Sequence, residues 1–378
     1  MKFPNSPPQT EATEGYPYSS GRRSIKQQTA KSKRPMKAVL ITAALCLLIP
    51  NAKAQSRYSI TDLGTLGGDR SDALSINKLG DVVGLSDVPS SIGIFHAFLY
   101  KGGKVRDLGT LDGPTSDALG VNDSSSVVGQ SSLLNVNGES QQAFLYSGGK
   151  MRNLTPGTNS GAWGINNLGQ ISGYFYVNLY TGFYHAFLYT SGQLQDLGTL
   201  GGDNSSGTGI NDRGQVVGRS YTAGNRADHA FLYSAGQMQD LGAFEPNSAY
   251  NRSVALRINE HGQVVGYAFL QNDSGPYHAF LYTGGQLQDL GTLPGSVGSE
   301  GDDVNNLGAV VGGCIDVNNV YTVAFLYIGG QMRDLNTLLV PNSGWVLSRA
   351  TGINDSGQIA ATGTRNSQTH ALLLTPGK

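Results

Sequence analysis

Short apolar stretches separated by polar turns recur along this chain every 44 to 49 residues. In the first complete copy, the apolar stretch Ala73–Ile76 is followed by the turn Asn77-x-x-Gly80 and a Val-Val pair. Asparagine and glycine at these spacings are typical of a hairpin turn. His96–Tyr100 then alternates between two faces, and a Gly-Gly turn leads to a fourth short stretch. The turn asparagines of the seven copies are Asn77, Asn122, Asn166, Asn211, Asn259, Asn305 and Asn354.

Each copy predicts four short β-strands and no helix. Four strands in 40–50 residues are typical of a propeller blade. The last copy ends at Leu374–Pro376 without a fourth strand, whereas Tyr58–Gly64 reproduces that strand ahead of the first copy. We therefore predict an all-β fold over residues 55–378, a seven-bladed β-propeller with four antiparallel strands per blade and a ring closed by the N-terminal strand. Closure would protect the sheet edges.

Three blocks in each copy resemble the HAF repeat, named for its His-Ala-Phe. They are His-Ala-Phe-Leu-Tyr, Asp-Leu-Gly-Thr-Leu-Gly-Gly and Ile-Asn-x-x-Gly-x-Val-Val-Gly, and the resemblance covers about residues 57–374. The sequence departs from it at Gln142 and Val323, which replace the histidine, and at Asn153, which replaces the aspartate. That family is described as probable extracellular bacterial repeat proteins. The resemblance implies secretion and supplies no catalytic residues.

The first 54 residues have the composition of a targeting region. Residues 1–35 are polar, and we expect a disordered segment or an extension from a misassigned start site. In residues 36–54, Met36-Lys37 is followed by about a dozen apolar residues and by Ala52-Lys53-Ala54, the pattern of a signal peptide with its cleavage site. We expect cleavage after Ala54, no stable membrane anchor afterwards, and a secreted protein, with the periplasm or cell surface as alternative locations.

Charge and cysteine content narrow the function classes. Residues 1–54 hold nine of the 26 Lys and Arg and two of the 27 Asp and Glu, so the remaining 324 residues have a formal net charge of −8. An acidic chain without basic clusters argues against nucleic acid as a partner. Cys314 is the single cysteine after cleavage, so no intrachain disulfide can form, and we expect a buried thiol.

The connections of variable length indicate where a ligand would bind. The first–second and third–fourth strand hairpins have constant length, whereas the other two connections vary and should emerge on one face of the disc. Loops on a rigid scaffold often carry function. Aromatic residues expected to lie in these connections predict binding of a carbohydrate or protein ligand, although the rings could instead pack on one another. The candidates are Tyr174, Tyr176, Tyr180, Phe183, Tyr184, Tyr221, Tyr267, Tyr277 and Trp345.

Charged residues break the repeat in the fifth and sixth copies. Arg257 and Asp303 both lie two residues before a turn asparagine, where four other copies have glycine, and we expect them to be ion-pair partners. Glu300, Asp302 and Asp303 are weak candidates for acid catalysis. We expect no cofactor, with calcium held by Glu300 and Asp302 as the alternative. A structural ion pair is the alternative. Five of the six histidines occupy the same repeat position in five different copies, which favours a hydrogen bond to the neighbouring aspartate over a metal site.

These patterns predict a secreted, non-enzymatic module that binds a carbohydrate or protein on the face of the variable connections. Two alternatives remain open at the level of sequence. One is a secreted glycan-acting enzyme, a hydrolase or lyase, that uses the acids of the sixth copy. The other is a structural envelope protein. Propellers host all of these roles, so the predicted fold does not choose among them.

Overall fold

The computed structural model describes residues 57–89, 93–135, 138–245, 251–271 and 275–377 of the 378-residue chain. The disordered segment or start-site extension expected over residues 1–35 and the signal peptide expected over 36–54 lie outside these ranges. The described chain forms seven four-stranded antiparallel sheets, which confirms the predicted propeller. Each sheet is one blade. In blades one to six the strands follow one another in sequence from the inner to the outer strand, whereas in blade seven the N-terminal strand is the outer one.

The first three strands of each blade have six to ten residues, and the outer strand has four to six. A 3₁₀ helix, Leu335–Leu338, follows the last strand of blade six. The strands are, for blade one, β2 (Ser71–Ile76), β3 (Val82–Asp87), β4 (Phe95–Lys101) and β5 (Lys104–Asp107); for blade two, β6 (Ser116–Val121), β7 (Val127–Asn135), β8 (Gly138–Ser147) and β9 (Lys150–Asn153); for blade three, β10 (Ser160–Ile165), β11 (Ile171–Asn178), β12 (Phe183–Thr190) and β13 (Gln193–Asp196); for blade four, β14 (Gly201–Ile210), β15 (Val216–Thr222), β16 (Asp228–Ser234) and β17 (Gln237–Gly242); for blade five, β18 (Ser253–Ile258), β19 (Val264–Phe269), β20 (Tyr277–Thr283) and β21 (Gln286–Asp289); for blade six, β22 (Gly298–Val304), β23 (Val310–Ile315), β24 (Tyr321–Ile328) and β25 (Gln331–Asp334); and for blade seven, β26 (Val346–Ile353), β27 (Ile359–Arg365), β28 (Gln368–Pro376) and the N-terminal β1 (Tyr58–Asp62).

The N-terminal strand closes the ring, as the sequence predicted. β1 pairs antiparallel with β28, with Tyr58 opposite Pro376 and Asp62 opposite Leu372. The amide of Val340 also donates to the carbonyl of Tyr58 at 3.0 Å. Chain ends that are far apart in sequence therefore share one sheet, and blade seven gains its outer strand.

The turn asparagines do more than cap their hairpins. In each copy the side-chain oxygen accepts backbone N–H groups of its own turn, as Asn166 does from Leu168 at 3.1 Å and Gln170 at 2.9 Å. The side-chain amide donates to the carbonyl of the turn asparagine in the next blade, at 2.9–3.2 Å in all seven copies. The last of these bonds runs from Asn354 to Asn77, so the amides form a closed ring around the axis. Sequence reasoning found the turn and missed this ring.

Each blade is packed around one large side chain of its third strand. Phe98 is buried, and it lies opposite Gly84 of the second strand. A Cβ at Gly84 would lie 1.9 Å from the carbonyl oxygen of Asp72 and 3.0 Å from the Phe98 ring, so glycine is required there. Blade seven has the complementary pair Leu372 and Ala361, in which a smaller side chain leaves room for a methyl group.

Histidine–aspartate pairs join the third and fourth strands of five blades, with nitrogen–oxygen distances of 2.8–2.9 Å. This confirms the predicted structural hydrogen bond. Blade two replaces the pair by an uncharged one, in which Asn153 donates to Gln142 at 3.1 Å. Blade six has Val323 instead of histidine, and its Asp334 caps the 3₁₀ helix by accepting from the amide of Asn336. Cys314 is a buried free thiol, as expected.

Candidate ligand-binding face

The two faces of the disc differ in kind. Because successive strands are antiparallel, the constant hairpins all turn on one face, which we call the turn face. The longer connections, from second to third strand and from blade to blade, lie on the other, which we call the variable face. The predicted aromatic candidates lie towards the variable face.

Blade three and blade four enclose a cavity of about 240 Å³ at this face. Trp163, Tyr174, Tyr176 and Tyr184 come from blade three, and the Tyr174 ring lies 5.5 Å from Trp163 and 5.7 Å from Tyr184 in edge-to-face contacts. Tyr174 and Tyr176 belong to β11 and Tyr184 to β12, so the expectation that they lie in a connection is wrong. The strands extend further than their repeat pattern indicated, and the rings are therefore held by a sheet. The cavity is lined by Trp163, Tyr174, Tyr176, Tyr184, Ser206 and Arg219.

Small inner-strand residues make room for this cavity. Gly161 and Ser206 both lie five residues before a turn asparagine, on neighbouring inner strands. A Cβ at Gly161 would lie 2.7 Å from the Tyr174 ring and 3.2 Å from the Trp163 indole nitrogen. The other copies have larger residues at this position, namely Asp72, Asp117, Val254, Glu300 and Arg349.

The polar groups around the cavity are largely fixed. Arg219 donates to Asp228 at 3.0 Å and to the Tyr184 hydroxyl at 3.2 Å. Burial raises the pKa of Tyr174 to about 12, so its phenol stays protonated and can donate at neutral pH. Ser206 is 1% exposed, and its hydroxyl has no hydrogen-bond partner. Buried hydroxyls are normally paired, so this one is an exception that calls for a reason.

Other predicted aromatic residues are not all available to a ligand. Trp345 is only 7% exposed, and its ring packs between Arg365, at 4.5 Å, and His370, at 5.7 Å. It belongs to the core of blade seven, so little of its ring is available to a ligand, and its assignment to ligand binding stays a prediction. The long connection folds back, and the ring covers the end of the sheet.

The remaining candidates differ in exposure. Tyr180 is fully exposed at the turn between β11 and β12, and Phe183 is partly exposed at the start of β12. Tyr221 is half-buried at the end of β15. In blade five, Tyr267 and Tyr277 pack on each other with ring centroids 4.9 Å apart, which agrees with the alternative that rings order the surface by mutual contact.

The acids of blade six form a structural ion cluster. Arg349 of blade seven donates to Glu300 at 2.7 Å and to Asp302 at 3.0 Å, and the Tyr321 hydroxyl donates to Glu300 at 2.6 Å. The guanidinium lies 4.1 Å above the Tyr321 ring. Burial raises the pKa of Glu300, although Arg349 opposes that shift. Within the described ranges, no three His, Cys, Asp or Glu side chains are grouped so as to hold a metal ion.

Arg257 and Asp303 do not form the expected ion pair, although both are among the described residues. They line one axial cavity of about 150 Å³. Arg257 reaches across it and donates to the carbonyls of Thr208 at 3.0 Å and Leu119 at 3.2 Å. Asp303 turns the other way and accepts from the amide of Ile353 at 2.9 Å. Each charged group therefore bonds to backbone groups of other blades instead of to the predicted partner. The two charges still interact without a hydrogen bond: burial raises the pKa of Asp303 to about 6, and Arg257 counters that rise.

Comparisons with known proteins support the fold and leave the activity unassigned. A family model described as a protein of unknown function, DUF3466, matches residues 201–372. No curated protein sequence matches the chain. Of the helices in the described ranges, none has the length and apolar character needed to cross a bilayer.

Several solved structures have a similar architecture. The β-propeller domain of the Trilobed protease from Pyrococcus furiosus, described as an open velcro topology, matches with 10% identity and a TM-score of 0.50, over 72% of this chain and 86% of that one. A puromycin-hydrolyzing peptidase from Mycobacterium tuberculosis matches with 11% identity and a TM-score of 0.48, over 85% of this chain and 51% of that one. A gluconolactonase from Xanthomonas campestris matches with 11% identity and a TM-score of 0.42, over 86% and 92%. At such identities the likeness concerns the fold alone.

Proposed function

We propose that this protein is a secreted, non-enzymatic binding module that takes a carbohydrate or protein ligand at the variable face. The cavity between blades three and four carries the proposal. Its aromatic walls come from strands, so they are fixed before a ligand arrives and little ordering cost is added on binding. Tyrosine and tryptophan offer large contact areas with polar atoms at their edges. Secretion rests on the signal-peptide pattern and on the resemblance to the HAF repeat.

The blade-six acids support the binding role over the enzymatic alternative. A general acid must present its proton to a substrate, and a nucleophile must have a free lone pair. Glu300 and Asp302 already accept from Arg349, and Glu300 also accepts from Tyr321. A calcium ion would have to displace the same guanidinium. Stabilisation of the contact between blades six and seven is the simpler role for this cluster.

A paired binding and cleavage experiment tests the proposal. The secreted protein is applied to a glycan array and to a panel of immobilised surface proteins, and polysaccharides are screened in parallel for cleavage. The variant Tyr176→Ala with Tyr184→Ala should lose at least tenfold in affinity for any ligand found. The matched variant Tyr267→Ala with Tyr277→Ala removes an aromatic pair from blade five and should retain binding. Turnover of a polysaccharide, or equal losses in both variants, would contradict the proposal.

A further inference from the structure

We propose that the cavity between blades three and four binds one uncharged sugar ring, a single unit of a glycan, and that the Ser206 hydroxyl hydrogen-bonds to one of its hydroxyls. The inference rests on the proposed function and adds the chemical class of the ligand. It is carried by the size of the cavity, the kind of atoms in its walls, the pairing of its charges and the unpartnered serine.

The size of the cavity suits one small ring. About 240 Å³ would hold roughly eight water molecules at ~30 Å³ each. That volume suits a six-membered ring with its substituents and is too small for several residues of peptide. Longer chains would have to leave the cavity towards the variable face.

The walls match a ligand with apolar faces and polar edges. All four rings carry a polar atom, which is the indole N–H of Trp163 or the hydroxyl of Tyr174, Tyr176 or Tyr184. The faces of a sugar ring present C–H groups that can pack on aromatic rings, while its rim carries hydroxyls that can both donate and accept. A purely apolar side chain would desolvate the phenols without pairing them, which is costly.

Arg219, the charged side chain that lines the cavity, is already paired with a carboxylate. Arg219 bonds to Asp228, which is 3% exposed, and Arg252 lies 3.6 Å from the same carboxylate. A carboxylated sugar would have to compete with this buried aspartate for the guanidinium. An uncharged sugar needs no such exchange, and it can accept from Arg219 at the edge of the existing pair.

Ser206 provides the group that lacks a partner. The preceding Ser205 donates to the Gly198 carbonyl and accepts from the amide of Ala186, which is the scaffold role of this serine in the repeat. Ser206 lines the cavity, yet its hydroxyl makes no bond with the protein. Its oxygen has almost no accessible surface in the free protein, so a ligand hydroxyl satisfies it after a small shift of the cavity wall on binding. Ser172 is also unpartnered and buried, but it does not line this cavity, so it offers a matched control.

Ligand-observed NMR on the full-length secreted protein tests the inference. The probes are the neutral methyl glycosides of glucose, galactose, mannose and N-acetylglucosamine, with glucuronate as a charged sugar and N-acetyltyrosinamide as a peptide side chain. At least one neutral glycoside should bind saturably and change the fluorescence of Trp163. Ser206→Ala should weaken that binding roughly three- to tenfold, the size expected for one hydrogen bond. Ser172→Ala should leave it unchanged.

The outcomes separate this inference from the proposed function. If only glucuronate or only N-acetyltyrosinamide binds, and Tyr176→Ala with Tyr184→Ala abolishes that signal, the site stands and the neutral-sugar assignment is overturned. The assignment is likewise overturned if no neutral glycoside gives a saturable signal, or if Ser172→Ala and Ser206→Ala weaken binding equally. Melting temperatures identify misfolded variants. Because both alanines remove an unpaired buried hydroxyl, both should be at least as stable as the parent.

Discussion

Replacing Arg349 by alanine would test whether the blade-six acids are structural. Arg349 is the shared donor to Glu300 and Asp302, whose side chains are 11% and 7% exposed. Removing it leaves two buried carboxylates without their cationic partner. Tyr321 keeps its bond to Glu300 but cannot neutralise its charge. We therefore expect a large loss of stability.

The magnitude follows from the burial of the cluster. Breaking a buried ion pair from one side typically costs about 3–5 kcal/mol, because the remaining charge stays desolvated. Loss of the guanidinium from the face of Tyr321 adds about 0.5–2 kcal/mol. Arg349→Ala should therefore lower the free energy of unfolding by roughly 4–6 kcal/mol. The exposed Arg106 supplies a control, since Arg106→Ala should change stability by less than about 0.5 kcal/mol.

The pH dependence gives a second signature. Burial holds the pKa of Glu300 above its usual range, and loss of Arg349 removes the main opposing influence. A carboxyl whose folded pKa is raised contributes stability that is present below its unfolded pKa and is lost as pH rises through the folded value. The deficit of Arg349→Ala should therefore narrow on acidification.

Urea unfolding of each variant between pH 4 and 8 measures both effects. The triple variant Arg349→Met, Glu300→Gln, Asp302→Asn should recover much of the loss at neutral pH, since it removes every charge together. A loss below about 1 kcal/mol at pH 7, or a deficit independent of pH, would refute the structural reading. The two carboxylates would then be candidates for a chemical role.

Three further predictions concern ring closure, a buried carboxyl and two glycines. Deleting Arg57–Gly64 removes β1 and the buried side chains of Tyr58 and Leu63, and should lower stability by roughly 3–6 kcal/mol in urea unfolding. An unchanged midpoint would contradict closure. Burial raises the pKa of Asp117 to about 6. The contribution of this carboxyl to the free energy of unfolding is therefore present below about pH 4 and lost as the pH rises through 6. Asp117→Asn should be more stable than the parent at pH 8 by about 2–3 kcal/mol, and equal stability would contradict this. Gly161→Ala should displace the ring of Tyr174 and weaken ligand binding while the protein still folds. Gly173→Ala should prevent folding, because its Cβ would lie 2.0 Å from a backbone oxygen. If Gly161→Ala failed to fold and Gly173→Ala folded with weakened binding, the cavity would be excluded as the site.

The fold could be predicted because the scaffold residues recur at fixed spacing. The turn asparagine, the third-strand phenylalanine and the aspartate nine residues after it occupy the same place in nearly every copy, and strands follow directly from that regularity. Ring closure could be predicted for the same reason, since one strand was spare at the start and one missing at the end. The ring of asparagine side chains could not be predicted, because a hydrogen bond from one blade to the next produces no pattern within a single copy of the repeat.

The candidate site was predicted less well, for a physical reason. The variable connections were expected to hold the ligand, yet Trp345 is core and the tyrosines of the cavity are strand residues. Their pattern is continuous with the strands, and sequence alone did not show where β11 and β12 end. Whether a ring near a connection faces a ligand or a neighbouring ring depends on the facing residue of the next blade. That residue is small in some copies and large in others.

That dependence points to a different kind of signal in the repeat. Two positions of the repeat face each other across the first hairpin: one lies five residues before the turn asparagine and the other eight residues after it. Gly161 faces Tyr174 in this way, and Ser206 faces Arg219. Spacing is constant at these positions, so the backbone is the same in every blade, while the residue type differs from copy to copy. The fold requires only that the residue at each position fits. It does not explain why Gly161 and Ser206 are small while the other five copies have aspartate, valine, glutamate or arginine at the same position. The cavity lies where these two inner strands adjoin, so under the proposed function its specificity is set by strand positions of the repeat.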